Sequence, residues 1–143
     1  MRRGVWQRWK RTANAIRSSD VYDTAELKRN KRVNDGYGEI NEPFTRDLIS
    51  ILNITSRTKV VDIGSGLGLF SLDLAALTGC EVLGIEIRDD LHQRATEILE
   101  EASPLGLCVT FVHGDATQDY LCLSIYDVVV CCNTLWSSDT NYR

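Results

Sequence analysis

Residues 60–68 read Val-Val-Asp-Ile-Gly-Ser-Gly-Leu-Gly, and a second apolar run, Val82-Leu83-Gly84-Ile85, ends in Glu86. Each run reads as a buried strand that delivers a carboxylate near its C-terminal end. Glycine lets a backbone approach a ligand closely and turn sharply into a helix. A carboxylate at the tip of the second strand can accept hydrogen bonds from both ribose hydroxyls. The spacing of Gly64, Gly66 and Gly68 is G-x-G-x-G. A dinucleotide loop is instead spaced G-x-G-x-x-G and sets a pyrophosphate on the helix N-terminus. Leu69 stands where its third glycine would be, and Asp62 lies two residues before Gly64. A carboxylate there repels a pyrophosphate and suits an ammonium group. The ligand this chemistry favours carries an ammonium and a ribose but no phosphate.

S-adenosylmethionine fits that description, and the pattern from Asp62 to Gly68 resembles motif I of class I methyltransferases. Further blocks follow in order. They are Tyr37-Gly38-Glu39, the loop itself, Gly84-Ile85-Glu86, Gly114-Asp115, and Asn133 after a Val-Val-Val strand. In this order they resemble the non-SET histone-lysine methyltransferases named for disruption of telomeric silencing (the Dot-one type), over about residues 33–136. Cys132, Thr134 and Ala116 depart from the family's pattern, which has asparagine, phenylalanine and an aromatic there. The resemblance implies that Asp62 holds the methionine ammonium, with the Gly64, Ser65, Gly66 and Gly68 backbone close to it. It implies that Glu86 holds the ribose and Asp115 the adenine. Glu39 would join the cofactor site, and Tyr37 and Asn133 would order the channel mouth where transfer occurs. The implied substrate is a lysine on the globular face of histone H3, presented by the nucleosome, which places the protein in the nucleus. Two alternatives stay open: a methyltransferase of RNA, another protein or a small molecule, and a non-catalytic cofactor- or partner-binding module. His113 reads as a packed or exposed histidine, not a base.

The elements that must position these residues alternate. The pattern predicts strands over 59–63, 81–87, 107–112 and 126–132, with helices over 69–77 and 89–102. Alternation with continuous apolar strands implies an α/β fold, a Rossmann-like parallel sheet with helices on both faces. Four strands are visible where the class I fold has seven, so the chain reads as an incomplete domain. Asn41 and Pro43 can start a further helix whose inward face would carry Phe44, Leu48, Ile49 and Leu52.

Charge divides the chain. Residues 1–32 carry ten Lys/Arg against three acids, and residues 33–143 carry six against seventeen. This reads as a basic N-terminal arm on an acidic, partial methyltransferase domain. The cations between Arg2 and Arg32 suit nucleosomal DNA. Val5, Trp6, Trp9, Ala13 and Ile16 recur near helical spacing within 1–19. Three readings fit: a basic helix docking on a partner or DNA, an extension packing its tryptophans on the domain, or a mitochondrial transit peptide. The five cysteines (Cys80, Cys108, Cys122, Cys131, Cys132) lack metal-ligand spacing and read as buried free thiols. No apolar run is long enough to cross a membrane.

Overall fold

Four short apolar runs pair as parallel strands, and their order sets the two carboxylates side by side. The computed structural model describes residues 2–19, 40–117 and 125–132. Strands β1 (Lys59–Ile63), β2 (Glu81–Glu86), β3 (Val109–His113) and β4 (Val128–Cys131) form one sheet in the order β3-β2-β1-β4. Every pairing is parallel. The register sets Asp62 beside Gly84 and Ile63 beside Ile85. Glu86 therefore projects one residue past the end of β1, level with the glycine loop. The chain moves out from β1 through β2 to β3, then returns to place β4 on the other side of β1. The switch point thus lies between β1 and β4. Gly114-Asp115 follows β3, two strands away from β1, because the chain reaches that edge before crossing back.

Among the described residues four α-helices accompany the sheet: α1 (Arg3–Arg17), α2 (Glu42–Ile51), α3 (Leu69–Thr78) and α4 (Asp89–Ala102). Glycines in the left-handed region bound α3, Gly68 at φ 74° and Gly79 at φ 81°. Every residue of α3 from Leu69 to Leu77 is buried. A helix that is apolar on all sides needs cover on all sides. Val60, Val82 and Val130 meet it from the sheet, and α4 packs beside it through Leu91 and Ile98. The outer cover is α1, whose Trp6, Trp9, Ala13 and Ile16 are all buried in the same cluster. Asp73, the one charged residue of α3, is 1% exposed. It accepts a 2.6 Å hydrogen bond from the Trp9 indole N–H and lies 3.5 Å from the Arg17 guanidinium. Of the three readings of residues 1–19, the packing of both tryptophans on the domain is the one the structure shows. Lys10 reaches Glu42 of α2 at 2.8 Å, and the Arg46 guanidinium lies over the Trp6 ring. Those two cations hold the Glu42 carboxyl below its usual range. Arg3, Arg8 and Arg11 face solvent on the opposite side of α1.

Two expectations need correction. In α2 the Asn41 side chain accepts from the Phe44 N–H as a cap, but Phe44 and Leu52 are 46% and 42% exposed. The inward stripe runs instead through Thr45, Leu48 and Ile49, so the helix is turned by one position. Among the described cysteines only Cys80 is buried; Cys108 and Cys131 are exposed and Cys132 is half-buried. Cys108 precedes an edge strand and Cys131 lies on the other edge strand, where apolar sequence does not guarantee cover. Cys122 lies outside the described residues.

The α1–α3 contact yields a direct test. Replacing Trp9 with Ala removes a fully buried ring and its hydrogen bond to the buried Asp73 carboxylate, and should cost about 3–5 kcal/mol. Urea denaturation of the full chain measures this. A loss under about 1 kcal/mol would show that α1 does not hold the core.

Candidate active site

The glycine loop is pinned to β2 by its own backbone. The Ile85 carbonyl accepts from the Gly64 N–H at 2.7 Å and from the Ser65 N–H at 3.0 Å. The Gly68 N–H donates to the Ser65 carbonyl at 2.8 Å, which closes the turn. Gly64, Gly66 and Gly68 all have positive φ, where a β-carbon is strained. The sequence assigned these glycines to close ligand approach and to a sharp turn into the helix, and the positive φ at all three shows the turn. Gly68 caps α3 without a side chain, and the first turn of α3 holds no acid. The positive end of that helix therefore faces the loop uncompensated.

Two carboxylates line this loop. Glu86 is 6% exposed. One of its oxygens accepts from the Gly66 N–H and the other from the Arg88 N–H, each at 2.8 Å. A carboxylate has about four acceptor positions, so each oxygen keeps capacity for one ligand hydroxyl. Asp62 is 4% exposed and accepts from the Ser71 hydroxyl at 2.7 Å. Among the described residues no cation pairs with it. Burial pushes its carboxyl up to about 6; the Ser71 hydrogen bond opposes the shift and the nearby Glu86 charge adds to it. The two acids therefore converge, and among the described residues neither is neutralised by a cation. An ammonium beside Asp62 and a vicinal diol at Glu86 would satisfy both.

Asp115 lies next to this pair, since the Gly114 N–H donates to the Glu86 carbonyl at 2.9 Å. Its carboxylate also organises its own turn, accepting from the Thr117 N–H at 2.8 Å and the Thr117 hydroxyl at 2.7 Å. His113 lies 3.0 Å from the Ile87 carbonyl through Nε2 and stacks on His92, a structural placement. The structure thus brings together Asp62, Gly64, Ser65, Gly66, Gly68 and Glu86, with Asp115 alongside. Tyr37, Glu39 and Asn133 lie outside the described residues. Sequence reasoning missed Ser71 and Phe111. Ser71 is three residues into α3 and carries no motif, and Phe111 becomes visible only through its pairing with Gly84.

Residues 60–142 match the family model for the methyltransferase domain. A histone-lysine N-methyltransferase, H3 lysine-79 specific, from Chaetomium globosum is 30% identical over 115 residues, spanning 73% of this chain and 22% of that protein. The 23S rRNA (uracil(1939)-C(5))-methyltransferase RlmD of Shewanella sediminis is 35% identical over 81 residues, spanning 56% of this chain and 17% of the relative. Among solved structures, an RNA methyltransferase from Salinibacter ruber in complex with S-adenosyl-L-homocysteine superposes with a TM-score of 0.58 at 26% identity. That match covers 66% of this chain and 60% of that one. The chain spans less than a quarter of the length of either curated relative.

The raised Asp62 carboxyl has a stability consequence. The folded chain holds this proton more tightly than the unfolded chain, whose value is near 3.8. The stabilisation is complete below that value and is lost as pH rises through about 6. It amounts to about 3 kcal/mol at most. Asp62→Asn should remove this part of the pH slope and make the ligand-free protein more stable at pH 7.5. Urea denaturation at pH 5 and pH 7.5 measures both effects. A variant less stable than wild type at pH 7.5 would show that Asp62 is a structural acid.

Proposed function

Because the chain belongs to the methyltransferase-domain family, we propose that it takes a methyl group from S-adenosylmethionine to a lysine of histone H3 in the nucleosome. The observation that carries the cofactor part is the meeting of Asp62 and Glu86, both buried, on a glycine loop, with no cation between them among the described residues. S-adenosylmethionine is the cofactor, and it supplies a sulfonium methyl for in-line displacement by a neutral amine. Asp62 receives the methionine ammonium, the positive charge its burial lacks. Glu86 receives the ribose hydroxyls through its remaining lone pairs. Asp115 reaches the adenine amino group, and Ser65 with Gly64, Gly66 and Gly68 forms the floor. Tyr37, Glu39 and Asn133 are assigned by resemblance to the loop and the channel mouth.

A free lysine has a pKa of ~10.4 and must lose its proton to react. A desolvated channel beside a sulfonium lowers that value, so this chain need not supply a strong base. Its work is orientation and electrostatics.

The histone reading draws support from the Chaetomium relative's name, from the Tyr37-Gly38-Glu39 and Asn133 blocks, and from α1. Arg3, Arg8 and Arg11 are exposed along its outer face. They suit the phosphates of nucleosomal DNA, which give affinity without sequence. A nuclear location goes with this substrate. A second reading, an RNA substrate, is favoured by the names of the Shewanella and Salinibacter proteins. Under it the same arginines face RNA phosphates. A mitochondrial location would require residues 1–19 to be removed, and the burial of Trp6 and Trp9 in the core argues for their retention.

Two measurements test this. In calorimetry with S-adenosylhomocysteine, Glu86→Ala should bind about 30-fold more weakly, the loss of about 2 kcal/mol of charge-assisted hydrogen bonding. In labelled methyl transfer, whole nucleosomes should be modified in preference to a free H3 peptide. Exchanging Arg3, Arg8 and Arg11 for Gln should cut the nucleosome rate at least tenfold with cofactor binding unchanged. Equal rates on peptide and nucleosome overturn the histone reading, and transfer to ribosomal RNA instead establishes the second.

A further inference from the structure

We propose that Phe111 is a positioning residue for the cofactor loop, an aromatic wedge that sets the height of the last glycine turn above the sheet. The inference rests on the cofactor reading above, and its test separates the two. Phe111 pairs with Gly84 across the β2–β3 ladder. A β-carbon placed on Gly84 would meet the Phe111 ring at 2.6 Å and the Ser65 β-carbon at 2.9 Å. One placed on Gly68 would meet Phe111 Cζ at 2.1 Å and the two flanking ring carbons at 2.7 and 2.8 Å. The ring therefore fills the space between two bare backbones. On one side is the strand whose tip carries Glu86, and on the other is the turn that starts α3.

Hydrogen bonds tie the front of the loop to β2: Gly64 and Ser65 to the Ile85 carbonyl, and Gly66 to Glu86. At the rear, Gly68 donates to the Ser65 carbonyl and accepts from the Leu72 N–H of α3 at 3.0 Å, which fixes it to the helix, and the ring of Phe111 is what lies between it and the sheet. The near-symmetric approach of the ring carbons shows that the para carbon points at Gly68. The length of this side chain, and not only its bulk, therefore fixes the turn. A hydroxyl at that carbon would push Gly68 upward and draw the Gly66 N–H away from Glu86.

The same ring also belongs to the apolar cluster around α1, α3 and α4, so a purely structural role is the competing explanation. The experiment uses the full chain with Phe111→Tyr, Phe111→Leu, Phe111→Ala, and Val109→Ala as a core control. Val109 lies two residues earlier on the same face of β3, pairs with Val82 and packs against both apolar clusters. Hydrogen exchange of amides 64–69 is read in the ligand-free protein, and S-adenosylhomocysteine affinity by calorimetry, both well below each variant's melting temperature. Phe111→Tyr and Phe111→Ala should lose at least tenfold in loop protection and in affinity. Phe111→Leu, which keeps apolar bulk but stops short of Gly68, should lose about as much as Phe111→Ala. Val109→Ala should lower the melting temperature and leave both loop readouts unchanged. If Phe111→Tyr behaves as wild type, or Val109→Ala loosens the loop as much as Phe111→Ala, the wedge is refuted. If wild type does not bind S-adenosylhomocysteine, the cofactor reading fails, and the exchange pattern still decides the role of Phe111.

Discussion

The placement of two carboxylates in one buried corner, with no cation between them among the described residues, constrains everything around it. Burial of an unpaired charge opposes folding, and Asp62 shows the opposition directly, with its carboxyl pushed up to about 6. The fold tolerates this because each acid is partly satisfied by neutral donors. Ser71 gives its hydroxyl to Asp62, and Gly66 and Arg88 give backbone N–H groups to Glu86. These partners orient the charges without cancelling them. A cationic, hydroxylated ligand then finds acceptors already aimed, and little ordering remains to be done on binding.

That corner needs a rigid base, which is why α3 is apolar on every side. It begins at Gly68, the last residue of the loop, and any movement of α3 moves the loop with it. The sheet covers one side of α3, and α1 covers the outer side with two tryptophans. The one polar intrusion, Asp73, is claimed by α1 from two points. A basic segment with an apolar stripe is thus a structural layer first. Because that stripe is occupied, the helix presents its arginines in one fixed direction on an otherwise acidic body.

Much of this was legible in the residues. The limits of β1 and of α4 fall where strand composition and helix start signals placed them, and Gly79 ends α3 as a left-handed cap. The loop and both acids meet as their spacing implied. What was not legible depends on register or on position in the sheet. Thr45 faces inward in place of Phe44 because the helix phase is set by the neighbours of α2, which the local pattern does not contain. Cys108 and Cys131 are exposed because the strands they adjoin are the outer two of the described sheet. Asp115 sits beyond β2 because strand order is a long-range property. Tyr37, Glu39 and Asn133 lie outside the described residues, so their part rests on motif order alone.

The glycines show most clearly how local and long-range causes combine. Gly64 and Gly66 are explained within the loop, by positive φ and by N–H groups that donate to β2, Gly64 to the Ile85 carbonyl and Gly66 to the Glu86 carboxylate. Gly84 has no unusual φ among the described positions, and nothing in the motif accounts for it. Its reason is Phe111, 27 residues later and one strand over. Gly68 answers to both causes, a left-handed cap that also rests on the same ring. A motif that looks like a ligand signature is therefore partly the imprint of a neighbouring side chain. The loop's shape belongs jointly to its own residues and to β3, so a change in β3 reaches the two acids without touching either.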